Sequence, residues 1–272
     1  MIFVHDKGGL GNNLLQYGHL YAWCREHGRS CMSMRFAYKH QYFHICHTRY
    51  HNIITYAFAK YAAKLGLLPI VQFMWGDQEP EKRVIKEQEL MSHRSLVVTG
   101  WEARWYELFI KYKTEIIQLF AFDQTIEQSV SHLLPTTPRL LLGVHVRRGN
   151  YADFYNGRFF YSDEQYLKII RDFRNIHPNE SLTIYICSND SHLNRNFYQQ
   201  QLNDCKIVFA EGNPGQDLCL LSHCHYLIGA PSTFTLVAAM YCDLPLYWIE
   251  DPNLQVREDS FKKFDYLFQH IY

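Results

Sequence analysis

The stretch Leu140-Leu-Leu-Gly-Val-His-Val146, running directly into Arg147-Arg148-Gly149-Asn150-Tyr151, decides the fold. A nearly unbroken apolar run of this kind suits a strand covered on both faces, as the centre of a parallel sheet requires. Pro135-Thr-Thr-Pro138 just upstream breaks the chain and places a domain boundary there. Downstream, strands are predicted at 182–187, 206–210, 226–229 and 245–249. Helices are predicted from Ser162-Asp-Glu, over 216–223 and over 232–240. Strands alternating with helices imply a parallel sheet with right-handed crossovers, which binds ligands at the carboxyl ends of its strands.

Working back toward the start, Ile2 to Val4 is a short β-branched run. Lys7-Gly8-Gly9-Leu10-Gly11-Asn12 follows, then an apolar pattern through Leu14, Leu15, Tyr17, Leu20, Tyr21 and Trp23. This predicts strand, glycine turn and helix. The aromatic-rich stretch 40–67 is expected to be helical, 96–100 to be a buried strand with Trp101 just beyond it, and 108–134 to be a helix. With 272 residues, two medium domains fit better than one. The expected division is an N-terminal domain over 1–138, a C-terminal domain over 139–250 and a tail, 251–272, packed back on them.

Composition excludes several classes. Charged residues make up 20% and apolar ones 47%, with no low-complexity stretch, so disorder is not expected. Lys plus Arg equals Asp plus Glu at 27 each, so the chain as a whole has no field to gather nucleic acid, and any anion must be held locally. No apolar run follows a basic start between Met1 and Gly11, and no window reaches the ~18 apolar residues of a membrane span. The expected compartment is therefore the cytoplasm, and attachment to the inner face of a membrane through a partner stays open. The eight cysteines, at 24, 31, 46, 187, 205, 219, 224 and 242, form no CxxC pair and are read as reduced core thiols.

Two adjacent guanidinium groups at a strand's carboxyl end call for a partner. Each is a permanently charged planar fork suited to bidentate phosphate binding, so Arg147 and Arg148 point to a pyrophosphate, with a surface ion pair or core salt bridge as the alternative. Strand alternation puts His145 and Arg147 on one face and Val144 and Val146 on the other. Ala230-Pro231-Ser232-Thr233-Phe234-Thr235 follows the strand at 226–229. Ser232 or Thr233 can cap the next helix, whose first-turn N–H groups can hold a phosphate. Asp217 opens the preceding helix, where a carboxylate serves either as cap or as ligand. The turn at Gly8 to Asn12 allows close backbone approach, but its spacing is not the dinucleotide fingerprint GxGxxG. His40, His44, His47 and His51, with Cys46 among them, would share a helix face. That spacing suits metal ligation, although an exposed or aromatic-stacked face is the preferred reading and no metal is expected.

These residues carry a resemblance. Gly8-Gly-Leu-Gly-Asn-Asn-Leu-Leu-Gln-Tyr17 resembles the GGLGNQ(M/L)FQY opening of the bacterial α1,2-fucosyltransferases, and His145-Val-Arg-Arg-Gly-Asn-Tyr151 resembles their HVRRGDY. Asp217 to Met240 is similar to their DLxLMSxCKHxIIANSTFSWWAAWL. The resemblance implies an α/β, GT-B-like fold of two Rossmann-like domains with parallel sheets facing across a cleft. It also implies inverting, metal-independent transfer of fucose from GDP-fucose to a sugar hydroxyl, a galactoside 2-OH, in surface-glycan synthesis. Arg147 and Arg148 match the family's diphosphate pair, His145 the motif histidine, and Ser232, Thr233 and Phe234 the donor-site turn. Gly11 and Asn12 would approach the donor from the N-terminal half.

The chain has no DxD sequence, so arginine rather than a carboxylate-held ion would neutralise the leaving group. Three departures stand out. Asn150 replaces the family's Asp, with Asp153 three residues on as a substitute base. Pro231 replaces its Asn, and Leu236-Val237 its paired Trp. They bear on the acceptor, an oligosaccharide or glycolipid, and on the donor sugar. They keep two alternatives open: a transferase for another GDP-sugar, and a non-catalytic nucleotide- or sugar-binding relative.

Overall fold

The computed structural model describes residues 1–271, the side chain of Asn150 excepted. The chain forms two compact units, divided between Asp123 and Gln124. The first holds β1 (Ile2–His5), α1 (Leu10–Glu26), β2 (Cys31–Ser33), α2 (Ile53–Lys64), β3 (Ile70–Gln72), α3 (Pro80–Ser92), β4 (Leu96–Thr99), α4 (Tyr106–Lys111) and α5 (Lys113–Leu119). Its four-stranded sheet runs β2-β1-β4-β3, all parallel. Gly100, at φ +114°, is where β4 leaves the sheet, and any side chain there would collide with the Phe73 carbonyl.

The second unit holds α6 (Gln124–Ser131), β5 (Leu140–Val146), α7 (Asp163–Ile176), β6 (Leu182–Ser188), α8 (Arg195–Gln201), β7 (Lys206–Phe209), α9 (Pro214–Ser222), β8 (Tyr226–Gly229), α10 (Thr233–Cys242), β9 (Leu246–Trp248) and α11 (Phe264–Phe268). Its five strands run β7-β6-β5-β8-β9, all parallel, with β5 central and Leu142, Val144 and Val146 fully buried. Those three pack against Tyr166, Ile169, Ile170 and Phe173 of α7, leaving Gly143 and His145 to the opposite face. Burying such side chains contributes roughly 1.5–3 kcal/mol each. Ser162 accepts a hydrogen bond from the Gln165 N–H while Gln165 reaches back, a capping box that fixes where α7 begins. Val256, Phe264, Leu267 and Phe268 bury the end of the chain in this same unit.

Three expectations are corrected. The compact units divide ahead of Pro135-Thr-Thr-Pro138 because α6 packs on α9 and so joins the second unit. The single helix expected over 108–134 is three, interrupted at Tyr112 and again between Leu119 and Gln124. The 40–67 stretch is helical only from Ile53, where Asn52 caps α2 through two backbone N–H groups. Before it, His44–His47 is a single 3-10 turn and His40 has positive φ.

Candidate active site

The carboxyl end of β5 separates two arginines that are adjacent in sequence. Arg148 is buried and committed within the protein. Its Nε donates to the Tyr161 carbonyl at 3.1 Å, Nη1 pairs with Asp190 at 3.1 Å and Nη2 pairs with Asp163. Asp163 also accepts from the Tyr198 hydroxyl at 2.9 Å, and the Arg148 backbone N–H is held by the Asn189 side chain at 2.9 Å. Of the two readings of the arginine pair, phosphate ligand or core salt bridge, the geometry of Arg148 is that of a salt bridge, with two partly buried carboxylates around it. Neither Asp163 nor Asp190 was singled out in the sequence. Asp163 had appeared only as a residue in a helix opening.

Arg147 is half-buried and points elsewhere. Its guanidinium carbon lies 5.1 Å from the centroid of the Tyr151 ring, within cation–π range. The Tyr151 hydroxyl donates to the Pro231 carbonyl at 2.6 Å and also lies against Arg147 and Ser232. Tyr151 therefore ties the end of β5 to the start of α10. At that start Ser232 is the cap, its oxygen accepting from the Phe234 N–H at 3.1 Å. Thr233 and Phe234 form the first turn of α10, where N–H groups favour an anion. The fold thus brings Arg147, Tyr151, Ser232 and Phe234 to one place.

His145 lies on the same face as Arg147, its ring centroid 4.9 Å from that of Phe234. It has room because its neighbour on β8 is Gly229, and a side chain there would press on Thr235 and on the His145 carbonyl. Burial, with Arg147 adding to it, pushes its imidazole down to about 3, so the ring is neutral at ordinary pH. Its Nδ1 is buried without a hydrogen-bond partner. On the other side of β5 the register sets His145 opposite Cys187, whose thiol lies beneath the Asp217 carbonyl at 4.0 Å. Asp217 has a buried Oδ1 without a partner, and burial lifts its carboxyl to about 7. It does not cap α9. Asn213 does that, with Gln216 completing the box. Two orphaned polar atoms at one end of one sheet are groups that a polar ligand would satisfy.

The remaining expected residues are placed as follows. Asp153 is exposed, precedes a short 3-10 turn and caps nothing. The side chain of Asn150 lies outside the described residues. Between them and Phe159 the loop holds Tyr155 and Asn156 at φ 48° and 54°, consecutive left-handed residues that cost of order 1 kcal/mol or more each. Leu236 and Val237 are wholly buried, so the departure from the paired Trp falls in the core of α10 rather than around a bound sugar. In the first unit, Gly11 and Asn12 occupy the first turn of α1, which no side chain caps. The four histidines do not gather. His40 meets Asn13, His47 pairs with Asp123, and His51 accepts from the Ser33 N–H. A residue not foreseen there is Asp6, buried just after β1, both of whose carboxylate oxygens face the Ser33 hydroxyl at 3.0 and 3.1 Å.

Residues 115–244 match the model of the family described as glycosyl transferase family 11. The chain is 23% identical over 248 residues to galactoside alpha-(1,2)-fucosyltransferase 2 of Hylobates lar, covering 87% of this chain and 67% of that protein. It is 21% identical over 250 residues to galactoside 2-alpha-L-fucosyltransferase SEC1 of Bos taurus, covering 87% and 63%. The chain thus spans about two thirds of the length of these relatives. Among solved structures, it is similar to FUT1 of Arabidopsis thaliana in complex with GDP, with a TM-score of 0.62 and 12% identity over 96% of this chain and 73% of that one. It is also similar to the NodZ alpha-1,6-fucosyltransferase soaked with GDP-fucose, with a TM-score of 0.57 and 14% identity over 96% and 98%. The fold is that of these enzymes, α/β and GT-B-like with two parallel sheets.

Proposed function

From this resemblance to the α1,2-fucosyltransferases we propose that the chain is a glycosyltransferase that moves fucose from GDP-fucose to the 2-hydroxyl of a galactoside with inversion. The observation that carries the reading is the joining of Arg147 to the Ser232-capped start of α10 through Tyr151, beside the unpartnered atoms of His145 and Asp217. Arg147 and the first-turn N–H groups of α10 hold the diphosphate. As the sugar–phosphate bond breaks, negative charge grows on GDP, and a fixed guanidinium and helix terminus stabilise it without reorganising. His145, neutral, lends a hydrogen bond from Nδ1 or accepts one there. Asp217 accepts from the N–H groups of the guanine base, which gives its orphaned oxygen a partner. Arg148 acts by holding the loop and strand end in place.

The diphosphate is neutralised by these groups and needs no divalent ion, in keeping with the absence of DxD from the sequence. The partners are the GDP-sugar and an oligosaccharide or glycolipid acceptor, not nucleic acid. The reaction belongs to the cytoplasm or the inner membrane face. Among the described residues no helix is long and apolar enough to cross a membrane.

Calorimetric titration of GDP with EDTA present, followed by GDP release from GDP-fucose with and without candidate galactosides, tests the reading. Tight binding and acceptor-dependent release are expected. Absence of GDP binding by well-folded protein would refute the proposal, and binding without turnover would leave a nucleotide-binding relative in its place.

A further inference from the structure

Helices α6 and α9 of the second unit bring together three side chains that the transferase reading does not use. Cys219 is buried on α9, His223 follows one turn later at the helix end, and Glu127 reaches across from α6. Glu127 Oε2 lies 3.2 Å from His223 Nε2 and 3.6 Å from Cys219 Sγ, and the three atoms all lie within 4.8 Å of one another. At about 100° per residue, Cys219 and His223 share one face of α9 while Asp217 lies on the other, so this cluster faces away from the nucleotide-binding residues. Among the described residues it is the one group of three or more His, Cys, Asp or Glu side chains so arranged.

We propose that Glu127, Cys219 and His223 form a zinc site that fastens α6 to α9. Tetrahedral zinc, with bonds of ~2.3 Å to sulfur and ~2.0–2.2 Å to nitrogen and oxygen, sets its ligand atoms roughly 3.4–3.5 Å apart. The observed 3.2 and 3.6 Å need only tenths of an ångström of adjustment, and the sulfur-to-nitrogen separation is within 4.8 Å. A thiolate and an imidazole favour zinc over magnesium or calcium, which take oxygen ligands. On binding, the Cys219 thiol gives its proton to solvent and forms the metal–sulfur bond. The His223 proton moves to Nδ1, so that Nε2 presents its lone pair. His223 and Glu127 are 40% and 46% exposed, which gives the ion a path in and leaves the fourth position to water. The ion ties α6, which opens the second unit directly after the division at Asp123, to α9, with three protein ligands and one open position.

The test is titration of metal-stripped full-length protein with Co2+, followed by competition with Zn2+. The expected result is one equivalent bound, with a thiolate-to-cobalt charge-transfer band and tetrahedral visible bands, both displaced by Zn2+. Cys219→Ser removes the charge-transfer band. His223→Ala, at an exposed position and so without a folding penalty, weakens binding at least roughly tenfold. Zinc raises the melting temperature of the wild type and not of Cys219→Ser, whereas GDP binding is the same with and without metal. A folded wild type without the band overturns the proposal, as does a band that survives Cys219→Ser. Neither outcome bears on the donor site, which is read separately through GDP.

Discussion

Arg148→Ala and Arg147→Ala are adjacent truncations with opposite expected consequences. Arg148 donates to two carboxylates whose side chains are only 16% and 18% exposed, its own being 10%. Removing one partner of a buried ion pair costs about 3–5 kcal/mol, chiefly because the charge left behind is uncompensated. Here both carboxylates keep a donor, Asp163 the Tyr198 hydroxyl at 2.9 Å and Asp190 the His192 N–H at 2.8 Å. The expected loss therefore lies at the low end, about 3 kcal/mol, or a fall of about 1.5 M in the urea midpoint at an m value near 2 kcal/mol/M. Arg147 is half-buried and lies beyond the end of β5, so its truncation should move the midpoint by less than about 0.5 M. It should instead remove a charge-assisted bond to the diphosphate worth about 1.5–3 kcal/mol, or roughly ten- to hundredfold in the GDP Kd. Urea unfolding of the second unit and calorimetry on the folded variants separate the two effects. Had Arg147→Ala kept wild-type GDP affinity while Arg148→Ala lost it without loss of stability, the division of labour would be refuted.

Three further outcomes are expected. Burial lifts the Asp217 carboxyl to about 7 against about 3.8 unfolded, so the folded protein holds this proton longer and stability falls as pH rises through that window. Asp217→Asn should then stabilise at pH 8 and be neutral near pH 4 in thermal denaturation, and wild-type GDP binding should weaken below pH 7, where the carboxylate is lost. Ser232→Ala removes the cap of α10 and should cost about 1 kcal/mol along with some GDP affinity, whereas Ser232→Gly costs a few tenths in stability. Gly100→Ala forces a side chain into the Phe73 carbonyl at positive φ, and a loss above about 2 kcal/mol is expected in the first unit's unfolding transition.

The five-stranded sheet was legible because each of its strands is an apolar run bounded by breakers, and the crossover rule then fixes the rest. The short strands Cys31–Ser33 and Ile70–Gln72 were not, since three residues carry no period, and their pairing with β1 and β4 is a tertiary fact. Helix α3 escaped for another reason: it is largely polar and buries only Leu90, so no apolar stripe announces it. At the site, the sequence brought out Arg147, His145 and the Ser232 turn through their position after strands. It could not tell Arg147 from Arg148, because that difference depends on Asp163 and Asp190, 15 and 42 residues away. Asp217 was ambiguous for the same reason, until Asn213 proved to be the cap.

The bonds of Arg148 to Tyr161 and Asp163 close the loop 149–160 at its base, with its own backbone N–H moored to Asn189. Only the exposed stretch 152–156 of the loop lies outside these anchors and outside Tyr151, which holds Arg147 to the start of α10. That short stretch is thus where the chain can take up insertions or exchanges at least cost to the strand end that carries Arg147.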